Sequence, residues 1–301
     1  RYSREKNDAY LNQRLVNEAL TWGKPDVIVL HESSKLKKRR RLSQWSWSSI
    51  KSAFTEPTAE DWIKKFYPQL AGIPITNCLH HQSHAAAGML TVPEDWNDAA
   101  IVTIDAIGEK QTATISTWQK NERIMLRHEV NFPNSLGLFY SAVTSAVGLK
   151  PMEDEYILMG MAAYGKPIYK DKMEMHLFDT PADDLHNCLK TIDMSKGLPN
   201  SFFNNIDVED EQTQFDLAAS AQATVEERIL SYCRLAFKYS GGSRNLVYMG
   251  GVALNCVANS LIYEKDIFKN IWIMPNPGDA RSSLVPRHYT ILKPQVTLSI
   301  G

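Results

Sequence analysis

Ala99-Ala100-Ile101-Val102-Thr103-Ile104-Asp105 and Thr112-Ala113-Thr114-Ile115-Ser116-Thr117-Trp118 flank a turn at Gly108-Glu109-Lys110. Two apolar runs joined through a Gly-containing turn pair as a β-hairpin. Downstream, residues 135–148 repeat apolar side chains at helical spacing, and residues 212–237 read as one long helix. That helix delivers the chain to a buried strand, Asn245-Leu246-Val247-Tyr248-Met249. Upstream, a helix over residues 8–22 precedes the strand Asp26-Val27-Ile28-Val29-Leu30. A hairpin followed by crossover helices predicts an α/β fold built from duplicated lobes. The lobes are expected to meet near residues 120–130, with a ligand cleft between them. Residues 165–209, with Pro167, Pro181 and Pro199, carry the weakest pattern and read as an insertion.

Asp105 stands where the first strand of the hairpin runs out, so its carboxylate is exposed at a strand end. A second chemical signal lies before it. His80-His81-Gln82-Ser83-His84-Ala85-Ala86-Ala87 follows the apolar stretch Ile73-Pro74-Ile75-Thr76 and opens an Ala-rich helix. Side chains at i and i+4 of a helix share a face, so His80 and His84 can reach one ion, and neutral imidazole is the commonest metal ligand. Asp105 and the late Asp279, in Pro277-Gly278-Asp279-Ala280, could complete a His2Asp2 set suited to iron or zinc. The competing reading is that both histidines line the helix start and bond locally.

The strand at 245–249 runs into Gly250-Gly251-Val252-Ala253-Leu254-Asn255, a tight turn opening a helix. Glycines let backbone N–H groups approach an anion, and a helix N-terminus favours phosphate. The same residues can equally be a simple turn. Glu153-Asp154-Glu155 is likewise open: paired carboxylates can act as a base, and acids in a first helical turn are favoured by the dipole anyway.

Taken together, four ordered motifs resemble one family. They are His-His-x-x-His-Ala at 80–85, Phe132-Pro133-Asn134-Ser135-Leu136-Gly137-Leu138-Phe139-Tyr140, Glu153-Asp154-Glu155 leading to Met159-Gly160-Met161-Ala162-Ala163-Tyr164-Gly165, and Gly250-Gly251-Val252-Ala253-Leu254-Asn255. Their order and spacing are similar to those of the O-carbamoyltransferases that tailor nodulation factors and antibiotics, over residues 1 to about 284. The resemblance implies duplicated actin-like, ribonuclease-H-related lobes around a nucleotide cleft, over residues 1–125 and 126–284, with 285–301 a divergent tail. It implies that His80, His84, Asp105 and Asp279 hold Fe(II) or another divalent transition metal such as Zn, with Asp105 and His84 catalytic. It implies that Asn134, Gly137, Gly250, Gly251 and Asn255 line the nucleotide, ATP or AMP in the form of carbamoyl-adenylate. The first strands of the family, with their His-Asp turn, are expected before residue 1. A YrdC-like module that makes carbamoyl-adenylate, where Mg could act, is expected beyond residue 301.

Composition suits a globular, cytoplasmic domain: the 301 residues are 44% hydrophobic and 22% charged, with net charge −1. No apolar run approaches the roughly 20 residues that span a bilayer, so no membrane partner is expected. Cys78, Cys188, Cys233 and Cys256 are scattered without a CxxC pair, which suits reduced thiols. Cys78 could add a soft ligand beside His80 or be a buried core thiol. Lys35-Leu36-Lys37-Lys38-Arg39-Arg40-Arg41 packs six cations into seven residues. Such a run reads first as a solvated loop, and nucleic acid is not the expected partner because no binding fold surrounds it.

The function this implies is transfer of a carbamoyl group from carbamoyl-adenylate to a small-molecule hydroxyl. Two alternatives share the fold: a threonylcarbamoyladenosine-type transferase acting on tRNA, and a nucleotide-binding domain without catalysis.

Overall fold

The computed structural model describes residues 13–43, 51, 55, 57–178, 197–279 and 299–300. The start of the helix expected over 8–22, Cys188 and most of the 285–301 tail lie outside these residues. Helix α1 (Gln13–Thr21) leads to strand β1 (Ile28–Leu30), then to α2 (Ser34–Ser43) and α3 (Ala59–Phe66). Strand β2 (Ile75–Asn77) pairs in parallel with β1 and hands the chain to α4 (His80–Met89). The basic run is therefore helix α2 and not the loop that its charge suggested.

The hairpin forms in the expected place. Strand β3 (Asp98–Ile104) pairs antiparallel with β4 (Gln111–Gln119), with Val102 opposite Ile115, and β4 pairs with β5 (Met125–Asn131). The lobe boundary expected at 125/126 thus falls at the start of β5, within a continuous meander. After α5 (Leu136–Ala146), α6 (Glu155–Met161), α7 (Lys170–Leu177) and α8 (Glu211–Tyr239), the chain returns as β6 (Asn245–Met249) beside β3. Helix α9 (Cys256–Glu264) and β7 (Asn270–Trp272) follow, and β8 (Ser299–Ile300) closes a mixed sheet of order β7-β6-β3-β4-β5-β8.

The central strands are buried on both faces, because successive side chains of a strand point to opposite sides. Ala100, Val102 and Ile104 of β3, with Leu246 and Tyr248 of β6, enter the larger core under α5, α8 and α9. Ala99, Ile101, Val247 and Met249 enter a smaller core with Ala85, Ala86 and Ala87 of α4. The small residues of α4 permit this close docking: a Cβ on Gly88 would stand 2.9 Å from Cγ of Met249. Docking α4 flat on β3 and β6 brings its first turn to the end of β3, where Asp105 leaves the sheet. Among the described residues no helix is long and apolar enough to cross a membrane.

Candidate metal centre and adjoining cleft

His80 and His84 are almost fully buried on α4, and their rings meet edge to face with centroids 4.7 Å apart. Their Nε2 atoms lie 3.2 Å from each other. Oδ2 of Asp105 lies 3.1 Å from each Nε2, and Oδ1 of Asp279 lies 3.3 Å from each. The four donors expected from sequence, drawn from positions 80 to 279, therefore form one cluster. Edges of this length enclose a point about 2 Å from each donor, which is the bond length of zinc or iron to nitrogen and oxygen. The donor set and its spacing both fit a divalent ion.

The electrostatics point the same way. Burial opposes charge on His80, but the carboxylates of Asp105, Glu32 and Asp279 outweigh it and raise its pKa to about 10. His84 is raised as well: burial again opposes, and Asp105 and Asp279 prevail. Burial also works to neutralise Asp105, yet the hydrogen bonds of His80 and His84 hold its carboxyl well below the usual carboxylate range. The cluster thus retains positive charge between its two carboxylates, as protons when no cation is bound. His81 differs from its neighbours, since burial and the charge of His80 lower its pKa to about 3. Cys78 is no donor in this cluster; burial pushes its thiol up to about 12, the state of an inert core cysteine.

Asp105 also lines a cleft of about 310 Å³, with Gly137, Tyr140, Ser141, Met152, Tyr156, Met159, Gly251 and Asn255 among its walls. A Cβ on Gly251 would stand 2.9 Å from Oδ1 of Asp105, so this glycine leaves room at the junction of cluster and cleft. Asn255 caps α9 by accepting from the Ala258 N–H at 3.1 Å, and its amide donates to Oε1 of Gln222 at 2.9 Å. Tyr140 donates to that same oxygen at 2.8 Å.

Two expected nucleotide residues stand outside the cleft walls. Gly250 has φ +92°, and a Cβ there would collide with the carbonyl of Ile104, so its role is to let the turn pass the end of β3. Asn134 lies in the turn before α5, where its carbonyl accepts from Oγ1 of Thr112. The acidic trio also resolves differently from its expectation. Only Glu155 lies in the first turn of α6; Asp154 precedes it, accepting from the Lys150 N–H at 3.0 Å, and Glu153 pairs with Nζ of Lys150 at 2.7 Å. Glu155 accepts from Ser141 and from the Met152 N–H, each at 2.5 Å.

Sequence reasoning missed Glu32, Glu109, Tyr140 and Gln222. Glu109 is buried in the hairpin turn and accepts at 3.0 Å from the His80 N–H, capping α4, whose preceding residue Leu79 has no capping side chain. Nothing in the local pattern marks a turn glutamate as a partner for a helix 29 positions away.

A cluster of two buried imidazoles and two carboxylates, opening on a cleft walled by a glycine turn, gives this α/β domain a candidate metal centre. Residues 57–284 match the carbamoyltransferase N-terminus family, and the chain belongs to that family. The Synechocystis sp. protein sll1178 is 32% identical over 94% of this chain and 51% of its own length. The nodulation protein NolNO of Sinorhizobium fredii is 29% identical over 68% of this chain and 29% of its own. NolO of Bradyrhizobium diazoefficiens is 28% identical over 68% of this chain and 36% of its own length. The chain thus spans about half, or less, of the curated relatives it matches. Among solved structures, T. kodakarensis HypF aligns over 90% of this chain and 41% of its own at a TM-score of 0.47 and 11% identity.

Proposed function

We propose that this domain transfers a carbamoyl group from carbamoyl-adenylate to the hydroxyl of a small-molecule acceptor, at a divalent iron or zinc ion held by His80, His84, Asp105 and Asp279. The observation that carries this reading is the sharing of Asp105 between donor cluster and cleft. In the reaction the bond from the carbamoyl carbon to an AMP phosphate oxygen breaks, the bond to the acceptor oxygen forms, AMP leaves as an anion and the acceptor's hydroxyl proton passes to solvent. A bound cation would supply Lewis acidity and a template for the phosphate and carbonyl oxygens.

The protein side of this chemistry is orientation. Oδ1 of Asp105 accepts from the Ala106 N–H at 2.8 Å, which fixes the carboxylate with Oδ2 toward the imidazoles. Gly251 keeps the approach to that carboxylate open. Tyr140, Met152, Tyr156 and Met159 give the cleft an apolar wall suited to the flat base of a nucleotide. Formation of carbamoyl-adenylate from ATP and carbamoyl phosphate is assigned to a separate YrdC-like domain. The duplicated actin-like architecture belongs to the same reading. The meander β3-β4-β5, extended by β6 and β7 on the other side of β3, supports one such lobe beginning near residue 98, earlier than the boundary expected at 126.

The test supplies carbamoyl-adenylate and an acceptor hydroxyl to the full-length protein and follows AMP release together with the carbamoylated product. Asp105→Asn should slow transfer while carbamoyl-phosphate-dependent pyrophosphate release from ATP continues. Metal and nucleotide binding without transfer to any hydroxyl would favour the non-catalytic reading. Salt-sensitive tRNA binding that disappears when Lys37 to Arg41 are neutralised would favour the tRNA transferase.

A further inference from the structure

The basic helix α2 is turned toward the donor cluster. Nζ of Lys37 lies 2.6 Å from Oε2 of Glu32, two residues beyond β1. The other carboxylate oxygen, Oε1, lies 3.4 Å from Nδ1 of His80, a buried ring nitrogen with no fully formed hydrogen bond among the described residues of the ion-free protein. A second tie runs beside the first: Arg40 donates to the carbonyl of Gly108, and Glu109 accepts from the N–H of Ser33 at 2.7 Å and of His80 at 3.0 Å. Helix α2, the hairpin turn and the first residue of α4 are thereby joined through two carboxylates.

We propose that Glu32 is a positioning residue for the metal centre: its Oε1 accepts from Nδ1–H of His80, so that the Nε2 lone pair faces Asp105 and Asp279, and Lys37 holds Glu32 in that orientation. A neutral imidazole carries one ring proton, and the partner of one nitrogen decides which nitrogen remains a ligand. A carboxylate on the outer nitrogen also raises the basicity of the inner one. Lys37 occupies Oε2, which leaves Oε1 for the histidine. His31 stands close by and, with Glu32 and His80, makes a second group of three possible donors. The ion pair with Lys37 already neutralises Glu32, which favours positioning over a second ion.

The inference rests on reading the cluster as a metal centre, and one experiment separates the two. Zinc affinity of the parent chain and of Glu32→Ala, Glu32→Gln and Lys37→Met is measured by competition with a chelator, with zinc stoichiometry taken from the same titration. Long-range 1H–15N NMR of the zinc-loaded proteins reads the protonation of each histidine nitrogen. The expected loss for Glu32→Ala is about 10- to 100-fold, with Glu32→Gln intermediate because its amide oxygen still accepts. Lys37→Met should lose a few-fold. The parent should show His80 protonated at Nδ1, with that signal broadened or lost in Glu32→Ala. A parent that binds no zinc overturns both readings. A parent that binds one ion, with unchanged affinity and unchanged His80 signals in folded Glu32→Ala, overturns the positioning role alone. Two ions per chain, one of them lost in His31→Ala, overturns it in favour of a second site. If Glu32→Ala does not fold, unchanged affinity in Glu32→Gln and Lys37→Met overturns it equally.

Discussion

The donor cluster and the glycine turn meet at Asp105, but one works through the groups its side chains carry and the other through the side chains it lacks. His80, His84 and Asp105 sit on regular, buried elements that fix their directions, α4 and the end of β3. Gly250 and Gly251 sit beside the same strand end and do different things: Gly250 relieves a backbone collision, and Gly251 clears space in front of a carboxylate. Adjacent identical residues can thus serve stability and access respectively.

The sharpest way to break this comparison is to remove one donor. His84→Ala should weaken zinc or iron binding by more than about 100-fold, beyond the usual cost of losing an outer partner of a ligand, with little loss of compactness. Elemental analysis of chelator-free preparations checks it. Asp279→Ala should cost less, because that side chain is 68% exposed and follows β7 at the edge of the cluster. Equal losses from the two variants would mean that burial does not rank the donors.

The two glycines should separate next. Gly250→Ala is expected to destabilise the fold by about 3 kcal/mol, through a strained positive φ and a backbone collision. Gly251→Val should abolish AMP binding and displace the Asp105 carboxylate, while destabilising the fold less than Gly250→Ala because its contact is with a side chain and not with backbone. Thermal melts and calorimetry on both variants decide whether the roles are divided.

The pH dependence of the ion-free protein sharpens the electrostatic half. His80 has its folded pKa raised to about 10, so its contribution is complete below the unfolded value near 6.5 and is lost as pH climbs toward 10. Asp105 is depressed, so its contribution is present above about 4 and is lost as acid protonates it. His81, lowered to about 3, gives up stability as pH falls below its unfolded value, so chelator-treated protein should be most stable near about pH 6.5, whereas apparent metal affinity should rise with pH as the imidazoles shed protons. Melting temperatures that climb from pH 7 to 9 without metal would contradict the assignment. The smallest effect is expected at Asn255→Ala, about 1 kcal/mol for a lost N-cap, with Gln222 still held by Tyr140 and Glu226.

How far the sequence could be read follows from the same contrast. The hairpin, α5, α8 and three of the donors were legible because each is announced by a local pattern: alternation, helical spacing, a His pair at i and i+4, a carboxylate at a strand end; Asp279, with no such pattern around it, rested on the family resemblance. Glu109, Gln222 and Glu32 were not, because their partners lie far away in the chain and no periodicity encodes them. Helix α2 was read as a loop because six like charges repel one another in isolation; in the fold, Glu32 and the Gly108 carbonyl take up two of them. The backbone contacts at Gly250 and at the Asn134 carbonyl were not legible either, because a motif resemblance does not contain them.

The order of the donors along the chain has a consequence for synthesis. His80, His84 and Asp105 emerge together from the ribosome, but β6, which pairs with β3, and Asp279 arrive only after α8 has been made. An ion held by all four side chains would close a loop from α4 to the segment after β7, and its binding energy would add to stability only when that segment is in place. The cation would then act as a late latch, setting during biogenesis once both ends of the sheet have assembled.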